Sequence, residues 1–152
     1  VMRCLDEEVQ GLEKVVLGQA KLRPEFAKLQ TVPGVGKILG MTIMYETGTI
    51  DRFEHVGDFS SYCRCVDSGR YSNGKKKGSG NSKNGNKYLS WAFVEAVPHA
   101  CRAYEVIRRF YQRKKAKRNA AVAVKAVAHK LARATYHVLK DQVDFDVTRA
   151  FA

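Results

Sequence analysis

The sequence predicts an all-α domain. Apolar residues recur at spacings of three and four along most of the chain, and residues that start or stop helices, such as Pro24, Gly48 and Asn119, stand between those runs. A length of 152 residues with 45% apolar content is enough for one buried core. No apolar run is long enough to cross a membrane, so the reading is a soluble globular protein.

Taken in order, Leu5, Val9, Leu12, Val15/Val16 and Ala20 form one stripe of an amphipathic helix reaching Leu22, half of a coiled coil whose partner is not evident in the chain. Residues 1–23 are read as the end of a linking coiled coil and 24–152 as one domain. Pro24 permits a new helical start. Phe26 to Gln30 leads into Thr31-Val-Pro-Gly-Val-Gly-Lys37 and the apolar Ile38 to Tyr45, so 26–47 reads as a helix-hairpin-helix. Gly34 and Gly36 permit positive φ and close backbone approach. The unpaired N–H groups opening the second helix favour an anion, and Lys37 adds charge. Such a motif touches nucleic-acid backbone without reading bases, although the same turn also serves simply to pack two helices.

Thr47-Gly48 closes that helix, and Ile50-Asp-Arg-Phe53 reads as a turn that plugs an apolar anchor into the core. Asp58 to Cys65 is a short amphipathic helix, and 66–87 a basic Ser/Gly loop. Residues 88–140 read as a helical bundle. Tyr88 to Val94, with Ala96 and Val97, is too apolar to be exposed and is the central helix, ended or kinked by Pro98. Arg102 to Arg118 carries eight Lys or Arg and one acid, Glu105; its Tyr104, Phe110 and Tyr111 are assigned to the core rather than to base stacking. Asn119 caps the last long helix, Ala120 to Lys140. Its Val124, Val127, Leu131 and Val138 share one face, and Lys125, His129, Arg133 and Lys140 the other. The tail, 141–152, is read as loosely packed.

The charge is segregated. Residues 1–69 hold eight Lys or Arg against ten acids, and residues 70–152 hold nineteen against five, so the whole net charge of +12 lies in the second part. A solvated surface ordinarily mixes signs; this segregation favours a polyanion, nucleic acid before membrane, with salt-sensitive affinity. The stretch Arg70 to Lys87 carries six Lys or Arg and no acid, interleaved with Gly, Asn and Ser. Lysine supplies point charge, glycine close backbone approach, and Ser or Asn hydrogen bonds to phosphate. Without context the same composition describes a flexible basic linker.

Cys4, Cys63, Cys65 and Cys101 are scattered, with no zinc or redox spacing, and are read as reduced thiols in a cytoplasmic protein. His55, His99, His129 and His137 form no metal-ligand pattern. The start, which is not Met, lacks a secretory profile, and the chain reads as a fragment.

The order of these pieces resembles the C-terminal domain of insertion-sequence transposases of the IS-one-ten type, the group that includes the Piv and MooV invertases and the bridge-RNA-guided recombinases. The resemblance rests on Thr31-Val-Pro-Gly-Val-Gly36 with its apolar helix, Asp51-Arg-Phe53, Phe59-Ser-Ser-Tyr62, Ser72-Asn-Gly-Lys75 and Asn84-Gly-Asn-Lys-Tyr-Leu89. It implies a two-part bacterial enzyme: an N-terminal RuvC-like domain with an acidic tetrad that binds Mg²⁺, a coiled coil, and a helical domain bearing a serine nucleophile. This chain matches the end of the coiled coil and the serine domain, so it holds no cofactor itself and the metal is expected in the other domain.

By the same resemblance Ser72 is the first candidate nucleophile, Ser82 the reserve and Ser79 a distant third. Lys75, Lys76, Lys77 and Arg70 would neutralise a pentacovalent phosphate. Lys83, Lys87, Arg109, Arg113, Lys114, Lys125 and Arg133 complete the expected nucleic-acid-binding set. The implied partners are DNA, a guide RNA and further copies of the chain in a dimer or tetramer, with no membrane and a nucleoid-associated cytoplasmic location. The competing readings are a non-enzymatic helix-hairpin-helix module that clamps DNA or RNA backbone, and an RNA-binding ribosome-associated protein.

Overall fold

The computed structural model describes residues 2–66, 69–79 and 83–152. The class is all-α. Helix α1 spans Met2–Lys21, α2 Pro24–Leu29, α3 Lys37–Thr47, α4 Val56–Tyr62, α5 Lys87–Ala103, α6 Glu105–Lys117, α7 Ala120–Lys140 and α8 Val147–Phe151. A 3-10 turn, Ile50–Arg52, joins α3 to α4.

Helices α5 and α7 form the centre. Helix α7 buries Ala123, Val127, Leu131, Tyr136 and Leu139 along one side, and α5 buries Leu89, Phe93, Ala96, Val97 and Ala100. Small residues on both helices bring them close, and each large side chain so buried contributes about 1.5–3 kcal/mol. Helices α3, α4 and α6 pack around this pair. Phe59 of α4 meets the rings of Phe53, Phe93 and Tyr136 at 5.2, 6.4 and 6.1 Å. Phe53 is the anchor expected of the 50–53 turn, and the Tyr136 hydroxyl donates to the carbonyls of Phe53 and Glu54 at 3.2 and 3.1 Å.

Capping sets several boundaries. Asn119 Oδ1 accepts from the Val122 N–H at 2.9 Å, starting α7 where the sequence predicts. Asn86 Oδ1 accepts from the N–H groups of Tyr88 and Leu89, fixing the start of α5. Helix α5 does not end at Pro98 but continues to Ala103, leaving the Val94 carbonyl without its usual helical donor.

Two other expectations change. The 66–87 region is not all loop, because Gly69–Ser72 (β1) and Lys75–Ser79 (β2) pair as an antiparallel hairpin. The tail is not loose: Phe151 is buried, its ring 5.6 Å from Phe110, Lys28 pairs with Asp144 at 2.8 Å, and the Phe145 N–H donates to Thr31 Oγ1 at 2.9 Å.

Helix α1 forms as predicted, with its stripe uncovered. Leu5, Val9, Leu12, Val15 and Val16 are 39–65% exposed, and only Ala20 is buried, where the helix meets α2 and α3.

Candidate nucleic-acid interface

The hairpin is built by its turn. Asn73 and Gly74 have φ of 52° and 73°, positive values at both central positions that match the right-handed twist of the flanking strands. Ser72 pairs with Lys75 across this turn, Tyr71 with Lys76 and Arg70 with Gly78, so Lys77 is the extra residue of a bulge. Ser72, Lys75 and Lys77 are exposed. A directly opposed pair shares one face of the ladder, so Ser72 and Lys75 lie on the same face at the tip. Ser82, the reserve nucleophile, lies outside the described residues.

The hairpin joins the helical body through a fixed neck. Arg64, at φ 54°, sends its guanidinium to the carbonyls of Gly85 (Nη2 at 3.0 Å) and Lys83. The Asn86 N–H donates to the Tyr62 carbonyl at 2.6 Å. Gly85 has φ +93°, and a Cβ there would lie 2.4 Å from the Tyr62 carbonyl oxygen, so this position requires glycine. Beneath the neck, Asn86 Nδ2 donates to Glu46 at 2.5 Å and to the Tyr62 hydroxyl at 3.5 Å, while the Arg52 guanidinium lies 4.6 Å from the Tyr62 ring centre. Hydrogen bonds from Asn86 and then Arg52 hold the Tyr62 phenol below its ordinary range. Lys125 of α7 reaches the same place, with Nζ 3.5 Å from the Arg64 carbonyl.

The turn between α2 and α3 separates its two glycines. Gly34, at φ +83°, lies against α5, where a Cβ would come within 2.2 Å of the Ala96 carbonyl oxygen. Its glycine requirement is met by internal packing. Gly36 is exposed with open space around it and starts α3 with no side-chain cap, so the first N–H groups of α3 have no capping acceptor, beside the exposed Lys37. They open on a groove of about 710 Å³ between the turn and α5, walled on the α5 side by Trp91, Glu95 and His99. Trp91, 47% exposed, gives that groove an aromatic wall.

The remaining basic residues divide. Lys87 is exposed at the first turn of α5 with Nζ 4.9 Å from the Tyr88 ring centre. Lys83 is exposed beside the neck. Arg109 is paired with Glu105 at 2.7 Å, and Lys140 with Asp51 at 2.7 Å, which raises the Lys140 pKa and removes that residue from the basic track expected along α7. Arg113 and Lys114 lie over the Phe110 ring, near Lys130 and Arg133. Phe110 and Tyr111 pack against the core as expected, whereas Tyr104 is more than a third exposed. The expected set therefore forms three surfaces: the hairpin with its neck and Lys125, the open end of α3, and the α6–α7 cluster.

Sequence reasoning missed Arg64, Lys130 and Trp91. Arg64 stands between two buried cysteines, an unusual place for a charge and the one available signal. Among the described residues no group of three or more His, Cys, Asp or Glu could hold a metal ion, and no helix is long and apolar enough to cross a membrane.

No curated protein matches the chain. Residues 27–112 match the model of the Transposase IS116/IS110/IS902 family, a span that runs from α2 through most of α6 and contains the α2–α3 turn, the neck and the hairpin. With more than half of its length in that match, the chain belongs to the Transposase IS116/IS110/IS902 family.

Proposed function

We propose that this chain is the DNA-binding, serine-bearing domain of an insertion-sequence transposase, with Ser72 as the nucleophile. Family membership gives the general role, transposition acting on DNA. The observation that carries the finer reading is the exposed Ser72–Lys75 pair at the tip of a lysine-rich hairpin held by a fixed neck.

In this reading Ser72 Oγ attacks a scissile phosphorus. A P–O bond to a DNA hydroxyl breaks, the hydroxyl leaves, and a phosphoserine link to one strand end remains; attack by another DNA hydroxyl reverses the step and rejoins the strands. Lys75 and Lys77, with Lys76 and Arg70 on the same strands, supply the positive charge for the pentacovalent phosphate. A serine hydroxyl is a weak nucleophile until a base takes its proton. The described residues of the hairpin contain no carboxylate or imidazole, so we assign that proton, and the Mg²⁺ expected for the family, to an acidic domain elsewhere in the parent protein.

The α2–α3 turn acts as the helix-hairpin-helix element, gripping phosphate through the free N–H groups beyond Gly36 and through Lys37. Lys83, Lys87, Lys125, Arg113, Lys114 and Arg133 extend the electrostatic track, and Arg109 contributes once it is released from Glu105. The uncovered stripe of α1 supports pairing with a second copy of the chain.

The test is covalent trapping with the full-length parent protein, Mg²⁺ and labelled element-junction DNA on a denaturing gel. We expect Ser72→Ala to abolish the adduct while binding stays within about twofold, because a hydroxyl contributes little to a phosphate-dominated affinity. Loss of the adduct in Ser82→Ala but not Ser72→Ala would transfer the role to Ser82. DNA binding with no adduct in any lane would reduce the domain to a non-enzymatic clamp.

A further inference from the structure

The geometry points to a nucleotide-binding pocket between α7 and the C-terminal segment, in which Arg133 and Arg149 take the phosphate and Val143 and Phe145 bear on the base. The cavity measures about 500 Å³, within the range of small-molecule sites and larger than a bare anion needs. Its lining residues all lie beyond residue 112, outside the family match, and none belongs to the hairpin, so it is independent of the Ser72 reading.

Its lining includes the cationic Lys130, Arg133 and Arg149 and the apolar Val143 and Phe145. Two acids also line it, but both hold the segment in place. Asp144 takes the Lys28 ammonium at 2.8 Å. Asp146 caps α8, accepting from the Thr148 hydroxyl at 2.6 Å and from the N–H groups of Thr148 and Arg149 at 2.8 and 3.3 Å; these bonds, the hydroxyl's first, hold its carboxyl below its ordinary range. His137 is turned to Asp141 at 3.4 Å. Lys130 is used as well: its Nζ donates to the Ala150 carbonyl at 3.0 Å and lies over the rings of Phe110 and Phe151 at 5.2 and 5.3 Å.

Arg133 and Arg149 have no side-chain ion pair among the described residues. They are exposed, and their planar forks suit a phosphate's paired oxygens. Positive charge is crowded around Arg133. Burial, and then Lys114, Arg113 and Arg133, lower the Lys130 pKa, while burial followed by Arg133 and Lys130 lowers that of His129. A bound dianion relieves this repulsion. His129 also lines the cavity.

A free nucleotide and a single unpaired nucleotide of a strand present the same chemistry, and the test separates them. Binding of 2′-deoxyadenosine 5′-monophosphate to the whole chain is measured by calorimetry beside inorganic phosphate and deoxyadenosine. We expect the nucleotide to bind at least about tenfold tighter than either part, and Arg149→Gln and Arg133→Gln each to weaken it about tenfold, the loss typical of one charge-assisted hydrogen bond. Val143→Trp, which enlarges an exposed apolar residue of the lining, should weaken the nucleotide but not phosphate. Nucleotide binding no tighter than phosphate, or unchanged in both Arg149→Gln and Val143→Trp variants of unaltered melting temperature, would overturn the proposal.

A duplex with one unpaired terminal nucleotide is then compared with its blunt equivalent. Tighter binding of the overhang, lost in Arg149→Gln, identifies a strand end as the occupant; equal binding of both duplexes identifies the free nucleotide. Arg133 also belongs to the proposed DNA track, so Arg149→Gln and Val143→Trp carry the decision, and failure of the trapping assay leaves their readout unaffected.

Discussion

Three glycines of the α2–α3 region separate two causes of a glycine requirement, and substituting alanine at each is a quantitative test of the turn. Gly36 has φ −84° and open space around it. Alanine there loses only the preference of a helix start for glycine, about 0.5–1 kcal/mol. Gly48, after α3, has φ +65° and also faces open space. Its ψ of −118° lies outside the left-handed helical basin, so alanine there meets backbone strain without a steric contact, about 1–3 kcal/mol. Gly34 has φ +83° with the Ala96 carbonyl oxygen 2.2 Å from a built Cβ. That contact is backbone against backbone, so neither side can swing away, and forced overpacking adds about 1–3 kcal/mol to a positive-φ penalty of about 1–2 kcal/mol. Gly34→Ala should therefore cost about 2–5 kcal/mol, a large share of a total stability of roughly 5–15 kcal/mol. Urea unfolding followed by circular dichroism gives the three values directly if the m-value is unchanged. The expected order is Gly34 > Gly48 > Gly36, with a melting temperature lowered by roughly 5–15 °C for the first. Gly34→Ala within about 0.5 kcal/mol of Gly36→Ala would show that the turn does not seat on α5 as described.

Further expectations concern the core and the basic surface. Thr135 and Thr47 bury hydroxyls that have no hydrogen-bond partner among the described residues, so Thr135→Val should stabilise the fold by about 1 kcal/mol, and a loss of stability in urea would mean that the hydroxyl has a partner after all. Lys75→Gln and Lys77→Gln should each reduce the slope of log affinity against log salt by about 0.9 and weaken unrelated duplexes equally; a sequence-dependent loss would contradict backbone binding. Burial raises the Cys63 thiol far above its ordinary range, with Cys65 adding to the effect, and pushes Cys65 up to about 12. Both folded values lie above the unfolded one, so the stability they confer is complete below about pH 9 and falls as pH rises towards 12, by about 1.4 kcal/mol per pH unit per thiol. Urea midpoints at pH 8 and pH 10 check this, and equal midpoints would place the thiols in water.

The helices were readable because their signals are local. Asn119 marks the start of α7 and Pro24 that of α2, while the spacing of Val127 and Leu131 identifies the buried side of α7. The hairpin was hidden by its composition. Strands are ordinarily recognised by β-branched and aromatic residues in alternation, and β2 is Lys-Lys-Lys-Gly-Ser. The Asn73-Gly74 pair was the sufficient cue, since it favours the turn whatever the arms contain. The tail's docking was signalled only by Phe145 and Phe151, aromatics with no reason to lie in a solvated end. The reason for Gly34 could not be read at all, because its partner, Ala96, is distant in sequence and a glycine carries no record of what lies against it. The candidate site was legible in its residues but not in its grouping: which cations face a phosphate and which are already paired depends on acids such as Glu105 and Asp51 that approach only in the fold.

The neck has an evolutionary consequence. Arg64, Gly85 and the Tyr62–Asn86 bond fix both ends of the hairpin segment on the helical body, and beyond the buried Cys65 a change confined to the hairpin leaves these junction bonds in place. Doubling the length of such a closed loop adds only about 0.6 kcal/mol of closure entropy. The arrangement therefore allows the segment between these two junctions to be lengthened or exchanged over evolution at little cost to the helical body.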